Sequence, residues 1–369
     1  MAESRLHQLS ARGQSVWIDY LSRDLIESGE LQRMMEEDAV VGVTSNPTIF
    51  QKAISHGNAY DAQLKELLEE DLDPKEVFLR LAVRDVEAAL DLLAPVHEAN
   101  AQDGYVSIEV DPNFADDTQA TYAEAIRFHE WIDRPNLYVK IPATPAGLPA
   151  IEDCIAAGRS INVTLIFSLQ RYAEVVEAYL RGLERLVADG GDPARVRSVA
   201  SSFVSRVDTE TDARLEAIGS ERALALRGKL AIANARLAYQ HYLASFAGER
   251  WQALARRGAL PQRCLWASTS TKNPAYSDVL YVEELIGPQT VNTMPEETIR
   301  AFQDHGRVRG DTVLEGVDEA RRLLEQLAEV GVDYDDVTAT LERDGVRKFA
   351  ESFAELLEGV RAKHQAVAA

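Results

Sequence analysis

The sequence predicts an α/β protein folded as a (β/α)8 TIM barrel, and three observations support this. Short runs rich in β-branched and aromatic residues alternate with longer segments of helical period. We count eight such runs, and eight parallel strands close a barrel. An open doubly wound sheet is the alternative, but the chain has neither a G-x-G-x-x-G turn nor a P-loop.

The strand-like runs share short length and β-branched content, and each ends where turn residues or polar groups begin. They are residues 15–21, 39–46, 105–111, 137–143, 160–167, 197–205, 263–269 and 289–294. The longest predicted helix covers 73–100, where Asp73 precedes Pro74 as an N-cap, and others cover 115–131 and 169–189. Two shorter helices are predicted before the second strand, one of them ending near Gly29.

We expect one barrel domain over residues 1–369, because no Pro/Ser-rich linker or low-complexity tract divides the chain. Two regions do not fit the simple alternation of strand and helix. A helical insertion of about 208–257 separates the sixth and seventh strands, and C-terminal helices occupy about 311–366. These C-terminal helices should pack on the outside of the barrel or cover one end.

The composition limits the range of partners. A formal net charge of −21 disfavours nucleic acids and anionic membranes, which repel a polyanion, but not a small anion held by local cations. Cys154 and Cys264 lie in unrelated segments, which is typical of a reducing compartment. There is no signal peptide and no apolar run long enough to span a bilayer, so we expect a cytoplasmic protein, as a monomer or homodimer.

A lysine inside a strand is the most informative single residue. Lys140 lies in the run LYVKIPAT, where burial of an unpaired ammonium would cost several kcal/mol. It therefore needs a carboxylate partner or a chemical role, and desolvation favours the neutral amine that attacks carbonyls. The alternative is a strand-end lysine that reaches solvent.

Strand residues alternate between two faces, and we expect the apolar residues, such as Val41 and Val43, to face the helices. The opposite faces then carry polar side chains near the carboxyl ends of the strands, where barrel active sites are built. These are Asp19, Thr44, Asn46, Ser107, Glu109, Asp111, Asn162, Thr164, Ser201 and Ser205. A lysine flanked by two carboxylates suits Schiff-base chemistry on a polyhydroxylated carbonyl compound, and no cluster with metal-ligand spacing is present.

Five ordered motifs resemble the transaldolase family, in its long actinobacterial and cyanobacterial variant. They are VTSNPTIF (43–50), SIEVDP (107–112), YVKIPAT (138–144), INVTLIFSLQRY (161–172) and SSFVSRVD (201–208). The resemblance implies a class I aldolase-type barrel without cofactor or metal. It also implies transfer of a dihydroxyacetone unit from sedoheptulose 7-phosphate to glyceraldehyde 3-phosphate in the non-oxidative pentose phosphate pathway.

The resemblance also implies roles for the catalytic residues. Lys140 matches the Schiff-base lysine. Asp19 matches the acid/base that removes the proton from the C4 hydroxyl of the donor. Glu109, through a water held with Thr164, resembles the group that moves protons while the imine forms and hydrolyses.

The substrate-binding residues follow from the same motifs. Asn46, Asn162 and Ser201 correspond to groups that hydrogen-bond the dihydroxyacetone hydroxyls. Phe203 corresponds to a phenylalanine that keeps water from the enamine.

The phosphate end departs from the family pattern. Arg206 matches a phosphate-binding arginine, for which an ion pair with Asp208 is the structural alternative. After the seventh strand, STKN (270–273) offers Ser270 and Lys272 where short transaldolases carry an arginine. A lysine keeps the positive charge, but it lacks the planar group with which an arginine donates two parallel hydrogen bonds to a phosphate. A solvated loop lysine is the alternative for Lys272.

Two rival functions remain open at this point. One is a Schiff-base aldolase of the fructose 6-phosphate type that releases free dihydroxyacetone. The apolar Phe203 and the length of 369 residues favour transfer over it. The other is a non-catalytic barrel, which would be expected to lack one or more of the residues Asp19, Glu109, Lys140 and Thr164 that are present here.

Overall fold

The eight strand-forming runs pair into one closed barrel, as predicted. The computed structural model describes residues 4–45, 47–55, 58–67, 70 and 72–368. Each strand is parallel to the next, and β8 closes on β1 with Thr290 opposite Gln14. The strands are β1 (Gln14–Asp19), β2 (Val40–Thr44), β3 (Tyr105–Glu109), β4 (Leu137–Pro142), β5 (Ile161–Ile166), β6 (Ser198–Phe203), β7 (Arg263–Ala267) and β8 (Thr290–Met294). The (β/α)8 prediction is confirmed, and the open sheet was the wrong alternative.

Helices connect the strands and surround the barrel. The first nine are α1 (Arg5–Ala11), α2 (Arg23–Glu27), α3 (Glu30–Glu37), α4 (Pro47–Ser55), α5 (Asp61–Leu67), α6 (Pro74–Ala99), α7 (Thr118–Ile132), α8 (Gly147–Ala156) and α9 (Leu169–Ala188). The rest are α10 (Ser205–Ile218), α11 (Glu221–Leu224), α12 (Leu230–Ser245), α13 (Glu249–Ala255), α14 (Leu280–Glu284), α15 (Glu296–His305), α16 (Val317–Glu329) and α17 (Tyr334–Ala368). In the part of the chain that is described, none of them is both long and apolar enough to cross a membrane.

Aromatic side chains fill the interior of the barrel below the polar layer. Tyr105 and Tyr138 stack with their ring centroids 4.0 Å apart, and Trp17 lies 6.1 Å from Tyr138. Val199, Leu265 and Val291 belong to the same buried cluster. The expectation that apolar strand residues face only the helices is therefore wrong, because the interior of an eight-stranded barrel must be filled by side chains.

Val41 departs from the prediction for a second reason. Val16 of β1 pairs with Val40, whereas Ile18 pairs with Val43, so β2 carries an extra residue in a bulge. This shift of register places Val41 against the interior cluster instead of the helices. At Gly42, a β-carbon would lie only 2.5 Å from the indole of Trp17, so the backbone of β2 can approach that ring only as glycine.

The last helix lies over the carboxyl ends of the strands. At its start, the Tyr334 hydroxyl donates to Asn234 and accepts from the backbone N–H of Leu169. Further along, Gly345 lies so close to Leu165 of β5 that a β-carbon would approach its side chain to 3.1 Å. Phe353 then packs edge-on against Phe78 of α6. These contacts hold α17 across the mouth of the barrel, whereas α16 packs on α12.

Candidate active site

One cavity of about 310 Å³ lies between the carboxyl ends of the strands and α17. Most residues predicted for the site line it: Asp19, Lys140, Asn162, Thr164, Ser201, Phe203, Arg206, Ser270 and Lys272. Glu109 contacts Lys140 from the neighbouring strand. Asn46, the remaining predicted residue, lies outside the described residues.

Lys140 is buried and already has polar partners. Its Nζ donates to the carbonyl oxygen of Ser45 at 2.7 Å and lies 3.3 Å from Oε2 of Glu109. The parallel register of β3 and β4 places Glu109 and Lys140 side by side, which creates the ion pair. Only 7% of Lys140 is exposed, so the alternative of a lysine that reaches bulk solvent is wrong.

Two carboxyl groups share this buried environment. Burial raises the pKa of Asp19, and the nearby Lys140 charge and a hydrogen bond from Thr44 oppose that rise. Burial likewise raises the pKa of Glu109, against the effect of Lys140. A carboxylate with a raised pKa is a stronger base than one in water, which suits general acid–base catalysis.

A chain of hydroxyl groups orients Asp19. Thr44 donates its hydroxyl to Oδ1 of Asp19 at 2.8 Å, and the Thr44 and Thr293 hydroxyls lie 2.6 Å apart. These three residues come from β1, β2 and β8, which are neighbours because the barrel closes. The carboxyl group is therefore fixed by strands, and strands position catalytic groups more rigidly than loops.

The amide of Asn162 is fixed from both sides. Its Nδ2 donates to the hydroxyl of Ser107 at 3.2 Å, and Ser201 donates to its Oδ1 at 2.7 Å. These bonds connect β3, β5 and β6 inside the barrel. Asn162 and Ser201 are thus oriented before any ligand enters.

Thr164 differs from its neighbours because its hydroxyl is unsatisfied. Its Oγ1 is buried and has no hydrogen-bond partner among the described residues. A buried hydroxyl without a partner is unfavourable, so a ligand or solvent molecule in the cavity that bonds to it would stabilise the site. This geometry fits a residue that holds a water or a substrate oxygen.

Arg206 lies at the edge of the cavity over two aromatic rings. Its Cζ is 5.1 Å from the ring centroid of Phe203 and 5.9 Å from that of Phe349. The alternative ion pair with Asp208 is not formed, because Asp208 accepts from the backbone N–H of Ala231 and the Tyr281 hydroxyl instead. The guanidinium group therefore remains available to an anion in the cavity.

Ser270 and Lys272 lie on the loop after β7. Lys272 is exposed, as its alternative interpretation expects, but it also lines the cavity. Its Nζ is 2.6 Å from the hydroxyl of Ser270, so the two groups form one polar edge. The backbone of this loop is anchored to the start of α10, since Ser205 donates its N–H to the carbonyl of Ser268.

Several residues that line the cavity were not predicted. Thr44, although recognised on the inward face, was not assigned a role, and Thr293 and Glu297 near the end of β8 were missed. The C-terminal helix α17 adds Lys348, Phe349 and Ser352. The spacing of Lys348 and Ser352 places them on one helix face, but no local signal in the sequence shows that this face turns towards the barrel.

Comparison with known proteins gives a consistent result. The model of the family described as Transaldolase/Fructose-6-phosphate aldolase matches residues 16–360. A transaldolase of Acidothermus cellulolyticus is 54% identical over 356 residues, which cover 96% of this chain and 95% of that protein. Transaldolases of Mycolicibacterium paratuberculosis and Mycobacterium tuberculosis are 54% and 53% identical, over 96% and 97% of this chain and over 95% and 96% of their own lengths.

Proposed function

The chain belongs to the transaldolase/fructose-6-phosphate aldolase family, and on that basis we propose that it is a transaldolase that works through a Schiff base on Lys140. It transfers a dihydroxyacetone unit from sedoheptulose 7-phosphate to glyceraldehyde 3-phosphate, giving erythrose 4-phosphate and fructose 6-phosphate. The observation that carries the mechanism is a buried amine 3.3 Å from the Glu109 carboxylate, in a cavity that the Asp19 carboxyl group also lines.

The first step joins the donor to the enzyme. The neutral amine of Lys140 attacks the C2 carbonyl of the donor, and loss of water from the carbinolamine gives a protonated imine. Glu109, whose carboxylate lies 3.3 Å from the amine, transfers the protons that this step requires. The unsatisfied hydroxyl of Thr164 supports a bridging water between Glu109 and the reacting carbon.

Carbon–carbon cleavage follows. The Asp19 carboxylate takes the proton of the C4 hydroxyl, the C3–C4 bond breaks, and its electron pair moves into the imine to form an enamine. The aldose product leaves. The enamine carbon then attacks the aldehyde of the acceptor, Asp19 returns its proton to the new hydroxyl, and hydrolysis frees Lys140.

The bond that orients Asp19 predicts a pH effect. Thr44→Val removes a hydrogen bond that lowers the pKa of Asp19, so that pKa rises further. Because only the ionised carboxyl acts as base, the acid limb of the kcat/KM profile should move to higher pH. Thr44→Ser keeps the hydroxyl and should retain the wild-type profile. A limb that is unchanged or moves to lower pH in Thr44→Val would contradict the assignment of Asp19.

The cations of the cavity support a phosphate site at its outer end. Arg206 from α10, Lys272 from the loop after β7 and Lys348 from α17 come from three separate segments and line the same cavity as Lys140. Glu297 lines the cavity as well, but cations still outnumber carboxylates in the lining, in a chain of net charge −21. A sugar phosphate bound to Lys140 by its carbonyl would extend its phosphate towards this end.

Lys348 gives a phosphate-specific prediction. Lys348→Gln should raise the KM for fructose 6-phosphate about tenfold, as expected for one charge-assisted contact, with little change in the slow turnover of unphosphorylated fructose. The matched control is Arg347→Gln. Arg347 pairs with Glu351 and Asp344 away from the cavity lining, whereas Lys348, 4.0 Å from Asp344, lines the cavity. Equal losses with both sugars, or equal effects of both substitutions, would remove Lys348 from the phosphate site.

The aromatic cover over the site favours transfer over simple aldol cleavage. Phe203 packs against Phe167, which follows β5, and against Phe349 of α17, so the ring that faces the cavity is held from two sides. An apolar cover excludes water, which would otherwise protonate the enamine and release free dihydroxyacetone. This arrangement supports a transferase over an aldolase.

Omitting the acceptor tests that function. With fructose 6-phosphate alone, we expect release of free dihydroxyacetone on the order of a hundredfold slower than transfer in the presence of erythrose 4-phosphate, a difference of roughly 2.7 kcal/mol in barrier. Comparable rates with and without erythrose 4-phosphate would instead identify an aldolase.

The cellular setting is part of the proposal. Transfer between these sugar phosphates places the enzyme in the non-oxidative pentose phosphate pathway. Both cysteines are buried and free, which is compatible with a reducing compartment and supports the cytoplasm as its location.

A further inference from the structure

A second cavity, of about 670 Å³, lies at the opposite end of the barrel from Lys140. Its walls come from the segments that lead into β3, β4, β5 and β6, where these strands begin. Active sites of such barrels lie at the other end, so this cavity is separate from the catalytic one. We call it the lower cavity.

Arginine is the most frequent residue type in the walls of the lower cavity. Arg134, Arg159, Arg195 and Arg197 line it, against Asp133 and Asp192. Two histidines also line it, and for His129 burial and the charge of Arg159 lower the pKa to about 4, so that ring is neutral at physiological pH. The lining therefore carries a net positive charge although the chain as a whole is strongly acidic.

The arginines differ in how their charge is compensated. Arg134 forms an ion pair with Asp91 at 2.9 Å. Arg197 donates to the backbone carbonyls of Ala101, Ala194 and Val196 and has no carboxylate within ion-pair distance in the described part of the chain. Its positive charge is thus not neutralised by a neighbouring side chain.

Arg159 and Arg195 are less satisfied still. Over the described ranges neither side chain makes a hydrogen bond or an ion pair, and the Nε of Arg159 is buried without a partner. A buried guanidinium N–H without an acceptor is unfavourable, and nearby like charges add to that cost. An anion in the lower cavity would accept a hydrogen bond from the unpaired N–H and reduce the repulsion between the arginines.

From this geometry we infer that the lower cavity binds a small phosphorylated anion. Guanidinium groups bind phosphate oxygens in bidentate fashion, and several arginines around one cavity fit a ligand with more than one negative charge. The cavity is larger than the catalytic one, so a phosphorylated metabolite fits by volume. The Tyr105 ring lines it and stacks on Tyr138, which would place a bound ligand in contact with the aromatic cluster of the barrel interior.

Calorimetric titration with inorganic pyrophosphate tests this site. Because pyrophosphate could also enter the catalytic cavity, the titration uses the full chain carrying Arg206→Gln, Lys272→Gln and Lys348→Gln. We expect one equivalent to bind, and adding Arg159→Gln with Arg195→Gln should weaken binding by at least tenfold. Adding Arg134→Gln instead, whose charge is neutralised by Asp91, should change affinity less than about threefold.

Two outcomes would overturn the inference. One is no binding at millimolar pyrophosphate while Arg159 and Arg195 are intact, and the other is equal affinity with and without them. Arg195→Gln alone, at an exposed position, provides a second variant if the pair impairs folding, and it should still weaken binding. In the otherwise wild-type chain, Arg159→Gln with Arg195→Gln should leave sugar transfer unchanged.

Discussion

Asp19→Asn is expected to slow carbon–carbon cleavage by roughly a thousandfold while Lys140 still forms an imine with the donor. The amide cannot take the proton of the C4 hydroxyl, and a positioned general base contributes about 10²–10⁴-fold. The bond from Thr44 to Oδ1 can persist, so the geometry of the site is preserved. Stopped-flow or quench measurements that separate imine formation from aldose release distinguish the two steps.

The thermal stability of the folded protein provides the control for this substitution. Burial raises the pKa of Asp19 in the folded protein. At neutral pH, which is above the pKa of this group in the unfolded chain, the charged carboxylate therefore makes folding less favourable. Replacing the carboxylate with a neutral amide should therefore not lower the thermal midpoint at neutral pH. Unchanged cleavage in Asp19→Asn would remove Asp19 from the mechanism, as would a loss of imine formation equal to the loss of cleavage.

Lys140→Arg is expected to abolish sugar transfer, a loss of at least about four orders of magnitude. Arginine retains the positive charge beside Glu109 and so avoids leaving that buried carboxylate unpaired, but it has no nucleophilic amine to form an imine. Steady-state turnover of fructose 6-phosphate with erythrose 4-phosphate measures the loss.

Lys272→Arg is the matched control for that variant. It makes the same exchange at the edge of the same cavity, where we propose only a contact with phosphate, and should stay within about threefold of wild type. Substantial turnover by Lys140→Arg would contradict the assignment of the nucleophile.

The sequence predicts the barrel well because its signals are local. Each strand is a short run of β-branched residues, and a period of two then assigns Asp19, Glu109, Asn162 and Thr164 to the inward face. Lys140 stands out for the same reason, since an ionisable residue in the middle of such a run is unusual. Parallel strands in a closed barrel bring these residues to one end without any long-range information.

Features that depend on distant contacts were not predictable in this way. The bulge that turns Val41 inward arises from the pairing of β2 with β1 and from the indole of Trp17 over Gly42. The position of α17 depends on its packing against Leu165 and Phe78.

The residues that α17 adds to the cavity were missed for that reason. Periodicity predicts the helix, but Lys348 and Ser352 on one face are equally compatible with solvent exposure. The environment of Arg159 is a similar case, because only the structure shows that its Nε is buried without a hydrogen-bond partner.

The covalent role of Lys140 can be tested most directly by trapping. Incubation with fructose 6-phosphate followed by borohydride reduction should convert the imine into a stable secondary amine, and peptide mapping by mass spectrometry should locate it on Lys140. Lys140→Arg treated in parallel should carry no adduct. A stable adduct on a different lysine, or no adduct in a protein that transfers the sugar unit, would contradict the Schiff-base mechanism.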